Sequence, residues 1–229
     1  MEATDSIQII DKLSVLGSQY AVSSTDLGAA LSESASTLAS TGNSIDETLA
    51  MITAMSEVTH SASESGDALN SLAMQLRGYD EETGAYSKNI AELTTSIAQL
   101  TATASTPSGI SIFTDDTEST YKSTYQIMKD ISAVWDSMSN KNQVKLLDVL
   151  GGSQNGDNVS ALLGNMSQAQ NALQSSIYST GSAYAKQEEW LQSLEGKVQQ
   201  FQTAFQGLSQ AVMDSDFLKG LVDTGTGLI

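Results

Sequence analysis

The sequence predicts an all-α fold, a multi-helix bundle of short αα-hairpins with one long heptad-like helix near the C-terminus. Three observations predict it. Apolar residues recur in steps of three and four along almost the whole 229-residue chain. Proline occurs once, at Pro107, which argues against a strand-rich fold with proline-punctuated turns. The longest regular pattern places Tyr184, Leu191, Leu194, Val198, Phe201, Phe205, Leu208 and Val212 on one face, with a/d spacing from Leu191 onward. At 1.5 Å per residue a helix over that stretch is about 45 Å long. It is expected over residues 182–213, closed by Asp214, Ser215 and Asp216, which favour caps over helix interiors. The positions flanking the seam include Trp190, Gln202, Ala204, Ser209 and Ala211, with Glu188, Glu195 and Lys197 as charged exceptions. This face, Trp190 included, is wider than a coiled-coil seam and suits packing within a bundle. It is the candidate protein-interaction surface.

The remaining elements follow in order. A first helix is expected after Asp5, with Ile7, Ile10, Leu13 and Leu16 inward and Gly17 near its end. A second runs from about Thr25 to Ser40 on Leu27, Leu31, Ala35 and Leu38, with Gly42-Asn43 as a left-handed stop. Ser44 with Glu47 is a capping-box pair opening a third helix on Ile45, Leu49, Ile52 and Met55. Ser61 with Glu64 is a second such pair, before a fourth helix on Ala68, Leu69, Leu72 and Leu76 that ends at Arg77-Gly78. Residues 1–78 thus read as two helical hairpins. Residues 79–112 are weakly specified. They comprise an acidic loop (Asp80, Glu81, Glu82, Gly84), a helix on Ile90, Leu93, Ile97 and Leu100, the turn Ser105–Gly109, and an extended piece at Ile110, Ile112 and Phe113. The boundary between two helical halves is placed there. In residues 113–229, Asp115 with Glu118 is expected to open a helix on Tyr121, Tyr125, Met128, Ile131, Trp135 and Met138. Asn140 is expected to cap a helix on Val144, Leu147 and Leu150, stopped at Gly151-Gly152. A loop from Gly152 to Asn158 precedes a helix through Val159, Leu162, Leu163 and Met166, and another spans Ala169 to Ile177. A short terminal helix is expected on Phe217, Leu218, Leu221 and Val222, and the apolar ending at Ile229 suggests a fragment of a longer chain.

Composition restricts function. The net charge is −17 and the pI about 4.1. Nucleic-acid affinity rests on Lys and Arg neutralising phosphates, and ten such residues against 27 acids predict no direct DNA or RNA binding. Attraction to an anionic membrane surface is opposed for the same reason, and no stretch is apolar enough to span a bilayer. The absence of cysteine removes disulfides, thiolate metal sites and cysteine nucleophiles. Hydrophobic residues make up 40% but aromatics only 6%, so helices should meet through Ala, Ser and Leu over a thin core.

No catalytic constellation emerges. His60 is the only histidine, so neither a triad nor a two-histidine metal helix can be built, and a surface place at a helix end is its simplest role. Ser119–Lys122 matches S-x-x-K without the companion motifs and reads as the exposed side of a helix. Asn155–Asn158 lacks the spacing of an EF-hand loop and reads as a polar turn. The paired acids at Asp80-Glu81-Glu82, Asp115-Asp116 and Glu188-Glu189 are neighbours in loops or at helix starts, not carboxylates facing across a cleft. No catalytic, cofactor-binding or metal residue is assigned and no cofactor is expected. The pattern alone reads as an acidic, all-helical interaction or scaffold domain.

At the residue level the chain resembles the core region of phage tail tape measure proteins. The resemblance is carried by Ser40-Thr41-Gly42-Asn43-Ser44-Ile45-Asp46-Glu47 with Met51–Ala54, and by Gly66-Asp67-Ala68-Leu69 through Leu76-Arg77-Gly78. It is strongest in Thr120–Ile127 with Trp135 and in Gln187 through Phe201, and it closes with Asp214–Asp216 through Gly225-Thr226-Gly227. It implies a structural, non-enzymatic protein of a phage or prophage tail. Such a protein lies in the tail-tube lumen, sets tube length, templates assembly in the host cytoplasm and leaves ahead of the DNA. The implied partners are tube and tail-tip proteins, tail assembly chaperones and other copies of itself. Strong acidity would keep such a protein from trapping DNA in the channel. Against that stand two other readings. A soluble acidic interaction module, an adaptor or a secreted protein, would be a complete domain. A cell-wall hydrolase domain would need facing acids in a cleft.

Overall fold

The computed structural model describes residues 3–180, apart from 81, 82, 116 and 153. They form α1 (Ala3–Gln19), α2 (Ser24–Ser40), α3 (Ile45–Thr59), α4 (Ala62–Gln75), β1 (Tyr79–Asp80), β2 (Ala85–Tyr86), α5 (Ile90–Thr101), α6 (Thr124–Trp135), α7 (Asn140–Gly151), α8 (Gly156–Gly164) and α9 (Met166–Ile177). Among the described residues the fold is all-α apart from that two-stranded hairpin and one isolated bridge, Phe113 to Tyr121.

Local chemistry sets most helix starts. Ser23, Ser44, Ser61, Ser123 and Ser139 each accept a bond from the backbone N–H three residues on, satisfying a donor the helix leaves open. Asn89 accepts likewise from the Ala91 N–H, two residues on. At Ser44 the pairing is reciprocal, because Glu47 also accepts from the Ser44 N–H at 2.9 Å. His60 ends α3 in a left-handed conformation and is exposed.

The bundle is centred on α3. Residues Thr48 to Ser56 are buried without a break, so this helix is enclosed on every side. It packs against α2, α4, α8 and α9. Helices α2 and α4 run antiparallel in close contact, with Glu33 bonded to Ser63 and Gly66 over Ala30. A Cβ on Gly66 would stand 3.0 Å from the Ala30 carbonyl oxygen, so the missing side chain sets how near the two helices approach. Helices before and after residues 79–112 share one core, which runs from Ile9 through Leu49, Leu69 and Ile97 to Leu146 and Ala172.

Several sequence expectations are corrected. Strand pairing that the sequence did not signal joins Tyr79–Asp80 to Ala85–Tyr86 as the antiparallel β1–β2 hairpin, with Tyr79 opposite Tyr86 and Asp80, expected in the loop, opposite Ala85. Asp115 does not open a helix; α6 starts at Thr124, and Ser119–Lys122 therefore lies in a loop rather than on a helix. The physical reason is that the Asp115 carboxylate accepts from the N–H groups of Thr117, Ser119 and Thr120, closing a loop where a helix would need them free. In α1, Ile9 is buried and Ile7 is 40% exposed, rotating the inward face from the expected one. In α7 the buried side chains are those of Leu146 and Leu150, with Gly151 buried beside them, whereas Val144 is exposed, and the cap is Ser139 rather than Asn140. Helix α8 starts two residues earlier than Asn158, and Met166 opens α9 instead of closing α8.

Candidate functional site: a polar junction around Arg77

Three chain segments meet at the C-terminal end of α4. The first is the α2–α3 turn. Gly42 has φ 84°, a conformation glycine adopts without penalty. Asn43 follows, almost wholly buried, and its side chain binds in both directions. Nδ2 donates to the Leu38 carbonyl at 2.9 Å and to Thr41 Oγ1 at 3.0 Å, while Oδ1 accepts from the Tyr125 N–H at 2.9 Å. The hydroxyls of Thr41 and Thr124 lie 3.3 Å apart. The N-terminus of α6 is thereby tied to the turn, although more than 80 residues separate them in sequence.

The second segment is Leu76-Arg77-Gly78. Arg77 Nη2 donates to the Thr41 carbonyl at 3.1 Å and to the Lys122 carbonyl at 2.8 Å. Its guanidinium sits 4.2 Å from the centre of the Tyr121 ring, a cation–π distance. Burial lowers its pKa to about 10, against a smaller opposing effect of Tyr121. Nη1 is buried and makes no hydrogen bond.

The third segment, residues 112–122, is a strap. Lys122 N–H donates to the Ile112 carbonyl at 2.9 Å and Thr114 N–H to Thr120 at 2.8 Å, and the rings of Phe113 and Tyr121 pack 4.5 Å apart. Its tip is organised by Asp115, whose carboxyl is held well below the usual carboxylate range, first by the Thr117 hydroxyl and then by the Ser119 and Thr120 donors. Burial raises the pKa of Tyr121, with Arg77 opposing and Glu118 adding to the shift. Burial likewise raises that of Tyr125, with Glu47 adding to it.

A second clasp ties α1, α3 and α9. Asp46 Oδ1 accepts from Lys12 Nζ and from Ser176 Oγ, each at 2.5 Å, and Lys12 also reaches the Ser176 carbonyl at 3.3 Å. Both clasps join backbone carbonyls, hydroxyls and one cation. The Ser176 hydroxyl, although bonded to the Asp46 carboxylate, is wholly buried. An open groove of about 440 Å³ between α5 and the strap is lined by Thr94, Ala98, Gln99, Pro107 and Glu118. Among the described residues no group of three or more His, Asp or Glu is placed to hold a metal, and no helix is long and apolar enough to cross a membrane.

The proposed interaction face, Tyr184, Trp190, Leu191, Leu194, Val198, Phe201, Phe205, Leu208 and Val212, lies outside the described residues. Sequence reading missed the Arg77 junction. The available signal was that Arg77 is the only arginine, and with Lys12 the only cation before Lys88. Three of the stretches that carry the family resemblance, around Asn43, Arg77 and Tyr121–Tyr125, are the three that converge at this junction.

Residues 1–152 match the family model described as phage-related minor tail protein, and the chain belongs to that family. Its role is accordingly a structural one in a phage tail, among other tail components. No solved structure matches it.

Proposed function

We propose that this chain is a segment of a tail tape measure protein. In this reading it lies in the lumen of the tail tube, sets tube length and is released during DNA delivery. Tube subunits and assembly chaperones gather on it. The observation that carries the reading is the minor tail family match over residues 1–152, joined to the resemblance at Asn43, Arg77 and Tyr121. Helices suit a ruler because their rise per residue is fixed.

The described residues bear on how such a ruler works. They fold back on themselves, so in this form each 17-residue helix spans only about 25 Å. Unrolled as one helix, all 229 residues would span roughly 340 Å. Electron microscopy of tails carrying an in-frame deletion of this segment tests the role. Shorter tails are expected, by as much as that fully helical length if the segment is extended in the tail. Tails of unchanged length would refute the ruler role for this segment. Unchanged length with undiminished infectivity would leave the tape-measure reading without support.

A further inference from the structure

One residue, Asn165, separates α8 from α9. Its φ of −114° and ψ of 20° take it out of the helical region and turn the chain. A continuous helix would pair the Gln168 N–H with the Gly164 carbonyl, but it donates to the Asn165 carbonyl at 3.0 Å. The sequence carries no such break. Val159, Leu162, Met166, Ala169, Leu173 and Ser176 follow one another in alternating steps of three and four straight through Asn165, as on a single helix. Local pattern and tertiary packing thus favour different conformations at this residue.

Packing holds α9 back along a seam with a polar tie at each end. Asn165 Nδ2 donates to the Ala54 carbonyl at 2.8 Å and Ser176 Oγ to Asp46 at 2.5 Å, so α9 runs antiparallel to α3. At about 100° per residue, Asn165, Ala169, Ala172 and Ser176 lie within about 60° of one another on α9, and Asp46, Ala50 and Thr53 do so on α3. Between the ties the two faces therefore present mainly alanine. Met166 is the one large side chain among the buried residues of α9, so little apolar area holds the seam shut. The Thr53 hydroxyl is buried there without a hydrogen bond, which weighs against the closed form. The Lys12–Asp46 pair at the far tie is partly exposed and open to screening by salt.

We propose that Asn165 is a hinge with two settings and that α9 is a releasable cover on α3. In the closed setting α9 lies along α3. In the open setting the Asn165 backbone becomes helical, and α8 and α9 fuse into one helix over residues 156–177, about 33 Å long. The face of α3 at Ala50 and Thr53 is then uncovered. The ties at Asn165 and Ser176 set the ratio of the two forms.

The chain has no cysteine, so two spin labels can be placed at will. Nitroxides at Tyr178→Cys and Asp67→Cys, both exposed positions, report the distance from the end of α9 to α4 in the full chain by pulsed electron paramagnetic resonance. Opening swings the far end of a helix about 18 Å long, which separates the two forms as distinct distances. Asn165→Ala and Ser176→Ala each remove one tie, and the first also favours helix at the hinge. Each is expected to change the ratio of open to closed distances by roughly five-fold, and both together by roughly 25-fold, with the helical circular dichroism kept or increased. A distance distribution in the double variant identical to the parent's would overturn the proposal. So would a new distance accompanied by loss of helical signal, because α9 would then melt instead of joining α8. A new distance that appears only as protein concentration rises would overturn it in favour of exchange with a second copy. None of these outcomes depends on whether the chain sets tail length.

Discussion

Replacing Arg77 with methionine tests the junction most directly. The substitution keeps the length of the side chain and removes its charge. Two charge-assisted hydrogen bonds are lost, at about 1.5–3 kcal/mol each. The contact with Tyr121 goes too, at about 0.5–2 kcal/mol. Opposing these is the desolvation of the guanidinium, seen in the fall of its pKa from 12.5 to about 10. At 1.36 kcal/mol per pKa unit that cost is roughly 3 kcal/mol. The net expectation is a loss of about 0.5–5 kcal/mol with its centre near 2–3, and at that centre a fall in Tm of roughly 4–12 °C for a chain of this size. Urea and thermal unfolding followed by circular dichroism measure it, with hydrogen exchange at Thr114 and Lys122 reporting the strap locally. Arg77→Lys should recover only part of the loss, because an ammonium lacks the planar fork that reaches both carbonyls and stacks on the ring. If Arg77→Met is as stable as the parent within about 0.5 kcal/mol, its burial cost cancels its bonds, as happens for some buried charges. Arg77 would then contribute nothing net to stability, and its role as the clasp of the three segments would be refuted.

Two further predictions rest on equally local geometry. Gly66→Val should cost about 1–3 kcal/mol by overpacking, because the atoms in its way include Ala30 backbone that cannot rotate aside; an unfolding free energy equal to the parent's would contradict the close approach of α2 and α4. Asp115 has a depressed folded-state pKa, so its contribution is present above the ordinary carboxylate value and is lost as pH falls through the folded one. Its carboxyl carbon should accordingly titrate by NMR well below the usual range near 3.9, and Asp115→Asn should shift the Thr117, Ser119 and Thr120 amides, whereas an ordinary midpoint would refute the loop.

Much of this molecule is determined by sequence alone, wherever the deciding contacts are local. Helices α2, α3, α4 and α5 are legible because their apolar spacing, their Ser, Asn and Glu caps and the left-handed Gly42 all act within four residues. Charge and the missing cysteines are likewise readable without a fold. Tertiary structure decided the rest. Periodicity marks one face of α3, yet the helix is enclosed on all sides, because only its neighbours fix how many faces are covered. The stripe through Tyr121 and Tyr125 is continuous in sequence, but Asp115 holds its first part as a strap, where Tyr121 meets Phe113 and Arg77 instead of a helical turn. Arg77 itself carries no local sign of its role. Its two acceptors, Thr41 and Lys122, lie 36 and 45 residues away, and only the packing of α2, α4 and α6 brings their carbonyls within reach of one guanidinium.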